Sequence, residues 1–98
     1  MTLLQTWAVD LRAAAPALRG RTGGVLALGA DENDADMVFV GFEGRPRVLV
    51  GPPAALAPEQ LANIQTLITV RVADPPADAW IRTFKGRQIS VFERRGPP

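Results

Sequence analysis

Apolar positions recur along this chain in two periods, one helical and one alternating, and the switches between them mark out the elements. Leu3, Leu4, Trp7, Leu11 and Leu18 fall on one helical stripe, with Gln5, Asp10 and Arg12 elsewhere on the wheel. Thr2 and Gln5 have the spacing of a capping box. The pattern predicts a helix over residues 2–15, ended or kinked by Pro16, which lacks an N–H and disfavours helical geometry at Ala15.

Three strand-like runs follow, at 24–30, 37–43 and 47–50. A polar stretch, 31–36, separates the first two, and Gly44 and Arg45 followed by Pro46 separate the second from the third. Gly at the first of two loop positions suits a type II′ hairpin. Loops this short exclude crossovers, so the three runs read as an antiparallel meander. A second helix is expected from Pro58, with Glu59 in its first turn and Leu61, Ile64 and Leu67 or Ile68 on its apolar stripe. The β-branched alternation of 67–72 makes its second half a strand.

Asp74 followed by Pro75 resembles a helix start, and Ala77, Trp80, Ile81 and Phe84 recur at helical spacing before Gly86, a good residue to follow a helix. Residues 87–93 read as a last strand carrying Ile89 and Val91, and 94–98 as a short basic and proline-rich tail. The expected architecture is α+β in a single domain over residues 1–93: a mixed sheet of about five strands with a β-meander and three helices, in the order α-β-β-β-α-β-α-β.

The first two strands are apolar on both faces: Val25 and Ala27 against Leu26 and Leu28, and Met37 and Phe39 against Val38, Val40 and Phe42. Such strands need cover on both sides. Either helices supply it on opposite faces, or a second copy of the chain covers one face. The second arrangement ranks slightly higher for so short a chain, and it makes Val38, Val40, Phe42 and Leu49 the expected dimer interface. Trp7 and Trp80, each on an apolar stripe, read as core or interface anchors.

Composition narrows the chemistry. In 98 residues there is no His, Cys or Tyr, and Lys85 is the single lysine. The usual general bases, transition-metal ligands and activated nucleophiles are therefore scarce. No catalytic residue, metal site or cofactor is expected, and the chain reads as non-enzymatic. Without cysteine, stability rests on packing, a ligand or oligomerisation. Net charge is +1, so overall charge argues for no polyanionic partner. The N-terminal residues carry no basic region typical of a signal peptide, and no stretch has the apolar length of a membrane span; a cytoplasmic location is the default expectation.

Three clusters are candidate sites. The acidic stretch with Asp31, Asp34 and Asp36 has oxygen ligands for a hard cation, but Ala35 breaks the alternation and no Gly follows, so a solvated turn is the better reading. Gly20, Gly23 and Gly24 precede a strand and do not open a helix, so they make a linker and not a phosphate loop. Arg82, Lys85, Arg87, Arg94 and Arg95 crowd the last fifth of the chain, with Phe92 among them and Arg82 and Lys85 one helical turn apart. They are the expected surface for single-stranded nucleic acid or an acidic partner. The leading functional expectation is a protein-interaction or regulatory module that forms a homodimer. The alternatives are weak single-stranded nucleic-acid binding through the basic region, which ranks lower, and an accessory subunit docked on an unidentified protein partner.

Overall fold

The computed structural model describes residues 12–18, 24–31 and 47–95. It is α+β, built on a five-stranded mixed sheet: β1 (Val25–Gly29), β2 (Arg47–Val50), β3 (Thr66–Val70), β4 (Trp80–Lys85) and β5 (Ile89–Arg94). Their order across the sheet is β2-β1-β3-β5-β4. Two helical segments belong to the described residues, α1 at 12–18 and the single turn α2 (Pro58–Leu61), with a 3-10 turn at Pro53–Ala55 before the latter.

The centre of the sheet is β3, whose five residues are all buried. It pairs in parallel with β1, Ala27 opposite Ile68, and antiparallel with β5, Ile68 opposite Val91. Residues opposite one another share a face, so the register sorts the core into two layers. Ala27, Ile68, Val70 and Ile89 form one, against which Leu18 of α1, Val25 and Val48 pack. Leu26, Leu28, Leu67, Phe92, Trp80 and Ile64 form the other, covered by Leu56, Leu61, Val72 and Ala79 from the connections before β3 and before β4.

Both faces are thus covered from within the chain. Leu49 is half-buried against the second layer. Val38, Val40, Phe42 and the run 37–43 lie outside the described residues, as do Trp7, Asp34 and Asp36.

Three expectations are corrected. β1 and β2 do not belong to an antiparallel meander: they pair directly and in parallel, Leu28 opposite Leu49. A parallel pair requires a crossover, and the 17 residues between Gly29 and Arg47 are long enough for one. The helix expected after Asp74 is a strand. Trp80, Ile81 and Phe84 do recur at helical spacing, but they are aromatic and β-branched residues beside a partner strand three residues away, and pairing with β5 outweighs periodicity. The ladder shifts register between Arg82 and Phe84, a bulge at Thr83, which is why apolar positions three apart can share one face of a strand. Finally, Pro16 does not end the first helix: residues 12–18 are helical through it, Ala14 is fully buried, and Leu18 reaches the core.

The second helix does start at Pro58, but it is one turn long. The oxygen of the Gln60 side chain accepts from the Ala57 N–H at 2.7 Å, a local cap for its first turn. The chain then turns through Gly24's neighbourhood: the Gly24 carbonyl accepts from the N–H groups of Gln65 and Thr66 at 2.8 and 3.1 Å, which starts the β1–β3 ladder. Gly24 sits at φ +67, and a Cβ there would lie 2.7 Å from the Asn63 carbonyl oxygen. Gly24→Ala is therefore expected to destabilise the fold by about 2 kcal/mol, combining the left-handed backbone term with the clash. Urea denaturation checks it; a loss below the scatter of the measurement would mean that β1 enters the sheet by another route.

Candidate functional site

The five basic residues of the C-terminal region are carried on the β4–β5 hairpin, and strand geometry divides them. Because β1, β2 and β3 run in parallel and Val70 lies opposite Ile89, the hairpin loop Gly86, Arg87, Gln88 sits at the carboxyl ends of the parallel strands. Lys85 and Arg87 are at that end, and both are exposed. Arg94 and Arg95 are at the opposite end of the sheet. Between Ser90, the partner of Lys85, and Arg94 the strand rises about 13 Å. The cluster that is contiguous in sequence is two groups in space.

The group at the amino end of the parallel strands is structural. The Arg94 guanidinium donates through Nε to the Ile64 carbonyl at 2.8 Å and through Nη2 to the Leu61 carbonyl, both just beyond the end of α2 or at its last residue. Its Cζ lies 4.6 Å from the centroid of the Trp80 ring, which is buried as its place on an apolar stripe suggested. One cation thus caps the carbonyls of a helix end and stacks on an indole. Arg95 donates through Nε to the Ala77 carbonyl at 2.9 Å and through its backbone N–H to the Ala79 carbonyl at 2.8 Å. Arg94 closes β5, so the sheet and its contacts continue into what the sequence suggested was a tail.

Arg82 lies between the two groups and pairs with Asp74 at 3.3 Å. Both side chains are about half exposed, so the pair adds at most about 1 kcal/mol. Arg82 and Lys85 do share a face, for a reason other than a helical turn. The bulge sets them opposite Phe92 and Ser90, two residues apart on β5 and therefore on one side of it.

Carboxylates are dispersed as well. Glu93, at the end of β5, accepts from the buried Thr66 hydroxyl, whose Oγ1 is 2.9 and 3.1 Å from its two oxygens. Asp31 follows β1 at the carboxyl end, and Asp74 is engaged with Arg82. Among the described residues no three His, Cys, Asp or Glu side chains come together as a metal-ligand group.

The carboxyl end holds what periodicity does not reveal. Arg71, the residue after β3, has φ 57, the one non-glycine with positive φ among the described residues. Its N–H donates to the Gln88 carbonyl at 3.0 Å, which brings it beside the hairpin loop. The Ala30 N–H donates to the Val70 carbonyl at 3.2 Å, which carries the β1–β3 pairing one residue past the end of β1. The signal that finds this site is topological: it needs the knowledge that β1 and β3 are parallel neighbours. Comparison of the chain with protein-family models, with curated proteins and with solved structures returned no match.

The Arg94 anchor has a measurable consequence. Arg94→Ala removes two charge-assisted hydrogen bonds and the stacking on Trp80, and a loss of about 2–4 kcal/mol is expected. Arg94→Lys is expected to recover less than half of it, because one ammonium cannot reproduce a planar fork that also stacks. Urea denaturation of the two variants, followed by circular dichroism, checks both statements.

Proposed function

We propose that this protein is a non-enzymatic interaction module that self-associates. The observation that supports it most directly is the placement of exposed apolar side chains. Val50 on β2 and Ile81 on β4 are 47% and 44% exposed, and they are the large hydrophobic residues most open to water among the described residues. Val50 lies opposite Gly29 and Ile81 opposite Glu93, which puts both on the sheet face of Ala27 and Ile68. They stand at the two margins of that face, where α1 packs over the middle through Leu18. Apolar margins on either side of a covered centre offer a larger surface to a second copy than either offers alone.

The interface in this reading differs from the one anticipated from sequence. Leu49 faces the chain's own second core layer, so the margin residue on β2 is its neighbour Val50. Binding in place of catalysis is supported by the use of the charged groups: Arg94, Arg95, Arg82 and Glu93 are each held by main-chain carbonyls or by a partner side chain. The same distribution ranks single-stranded nucleic-acid binding below self-association, because two of the five basic side chains are turned to internal acceptors and a third is ion-paired. Docking on a different protein through the same margins is the accessory-subunit form of this reading. No helix among the described residues is long and apolar enough to cross a membrane.

Light scattering at micromolar concentration is the test. A dimer is expected, and Ile81→Glu is expected to weaken it at least tenfold with the circular dichroism spectrum unchanged, since Ile81 lies outside both core layers. A wild-type chain that stays monomeric at 100 µM, on the order of a hundredfold above the Kd expected of a standard interface, contradicts self-association.

A further inference from the structure

We infer that the bulge at Thr83 closes the β4 edge of the sheet to strand addition, so that β4 neither extends the sheet of a second copy nor accepts an extended peptide. The closure concerns the edge alone and holds for a monomer as for a dimer formed through the apolar margins. β4 is an outer strand among the described residues, and of its six residues Trp80 alone is buried. Ile81 stands 44% exposed on it. A long, exposed edge with an apolar side chain is a template for another strand unless something disrupts it.

The ladder shows which backbone groups face outward. Opposed residues in an antiparallel pair alternate between those that exchange hydrogen bonds and those whose groups point away. At one end of the hairpin the Arg95 N–H donates to the Ala79 carbonyl at 2.8 Å, and at the other the Gly86 N–H donates to the Ile89 carbonyl at 2.7 Å. Followed inward from both ends by the register, Ile81 and Phe84 turn their groups to β5, whereas Trp80, Arg82 and Lys85 turn theirs outward. The Trp80 N–H is bonded to the Pro76 carbonyl at 3.1 Å. The residues that offer both an N–H and a carbonyl at the edge are Arg82 and Lys85, and the bulge sets them three apart in sequence. A regular strand brings its groups to an edge every second residue, or about 7 Å. A straight partner in step with Arg82 is therefore out of step at Lys85.

Side chains reinforce the disruption. The Thr83 hydroxyl donates to the Val91 carbonyl at 3.3 Å, which fastens the extra residue to the inner strand. Arg82 and Lys85 lie on one face of β4, and both are exposed. In a twofold antiparallel pairing of two β4 strands centred on the bulge, Arg82 of each chain lies opposite Lys85 of the other, and like charges in that position are unfavourable. Asp74, 3.3 Å from Arg82, offsets part of that repulsion, which leaves Lys85 as the stronger deterrent.

Amide hydrogen exchange of the wild-type chain tests the edge directly. The amides of Ile81 and Phe84 are expected to exchange at least about a hundredfold more slowly than those of Arg82 and Lys85. Equal protection at all four overturns the inference, because it means that the edge is paired or covered. The second arm removes the device, by deletion of Thr83 together with Lys85→Thr, which restores the two-residue spacing. At about 100 µM this variant is expected to show at least twice the wild-type mass by light scattering. Adding Arg82→Pro, which takes away an outward N–H and no bond to β5, is expected to return the mass to the wild-type value. A deletion variant that folds, by circular dichroism and cooperative urea unfolding, yet keeps the wild-type mass overturns the inference, as does a doubled mass that Arg82→Pro leaves in place. If the deletion prevents folding, amide exchange decides alone. Because mass is read as a ratio to the wild type, a monomeric wild type ends the self-association proposal and leaves the closed edge standing.

Discussion

The structure depends on a central strand that is buried on both faces. β3 sits between β1 and β5 with all five residues withdrawn from water, and two of the five, Thr66 and Thr69, are polar. A strand in that position needs neighbours on both edges to pair its backbone groups and cover on both faces to enclose its side chains. In a chain of 98 residues one sheet must satisfy both demands, and it does so by mixing strand directions. The parallel neighbour β1 brings in Leu26, Ala27 and Leu28, fully buried on alternate faces. The antiparallel neighbour β5 brings in Ile89 and Val91 on one side and Phe92 on the other.

Cover for the second face comes from segments with little regular structure. The stretch from Pro52 to Gln65 has one 3-10 turn and one α-helical turn, and still supplies Leu56, Leu61 and Ile64 to the core. So short a helix has almost no stability of its own, because nucleation is unfavourable and few turns repay it. It is held by its own Gln60 cap at its start and, from outside, by Arg94 at its end. The same arginine lies over Trp80, the first residue of β4. A single side chain therefore ties the edge hairpin to the layer packed on the sheet. That role explains why a basic residue in this region does not present its charge to a partner.

A division of labour between the two ends of the sheet follows. At the amino end of the parallel strands, Gly24, Arg94, Arg95 and Glu93 fasten connections to strands through backbone and side-chain hydrogen bonds. At the carboxyl end, the charged residues Asp31, Arg71, Lys85 and Arg87 are exposed, and the backbone adopts a left-handed conformation at Arg71.

Several features were legible in the order of residues alone. The α+β class, the size of the sheet, the start of a helix at Pro58, the last strand and the burial of Trp80 follow from local periodicity, turn residues and side-chain size, properties that a short window of sequence contains. Strand direction and partner choice do not. That β1 and β2 pair in parallel, and that β4 is a strand where Asp74, Pro75 and a helical stripe suggested a helix, depends on which segment lies alongside which. The same limit applies to the charges. Five basic residues close in sequence look like one surface, but a strand advances over 3 Å per residue and its partner runs the opposite way, so only tertiary structure decides which of them meet. It turned Arg94 and Arg95 to main-chain carbonyls, and it set Arg71, which no periodicity distinguishes, beside the hairpin loop.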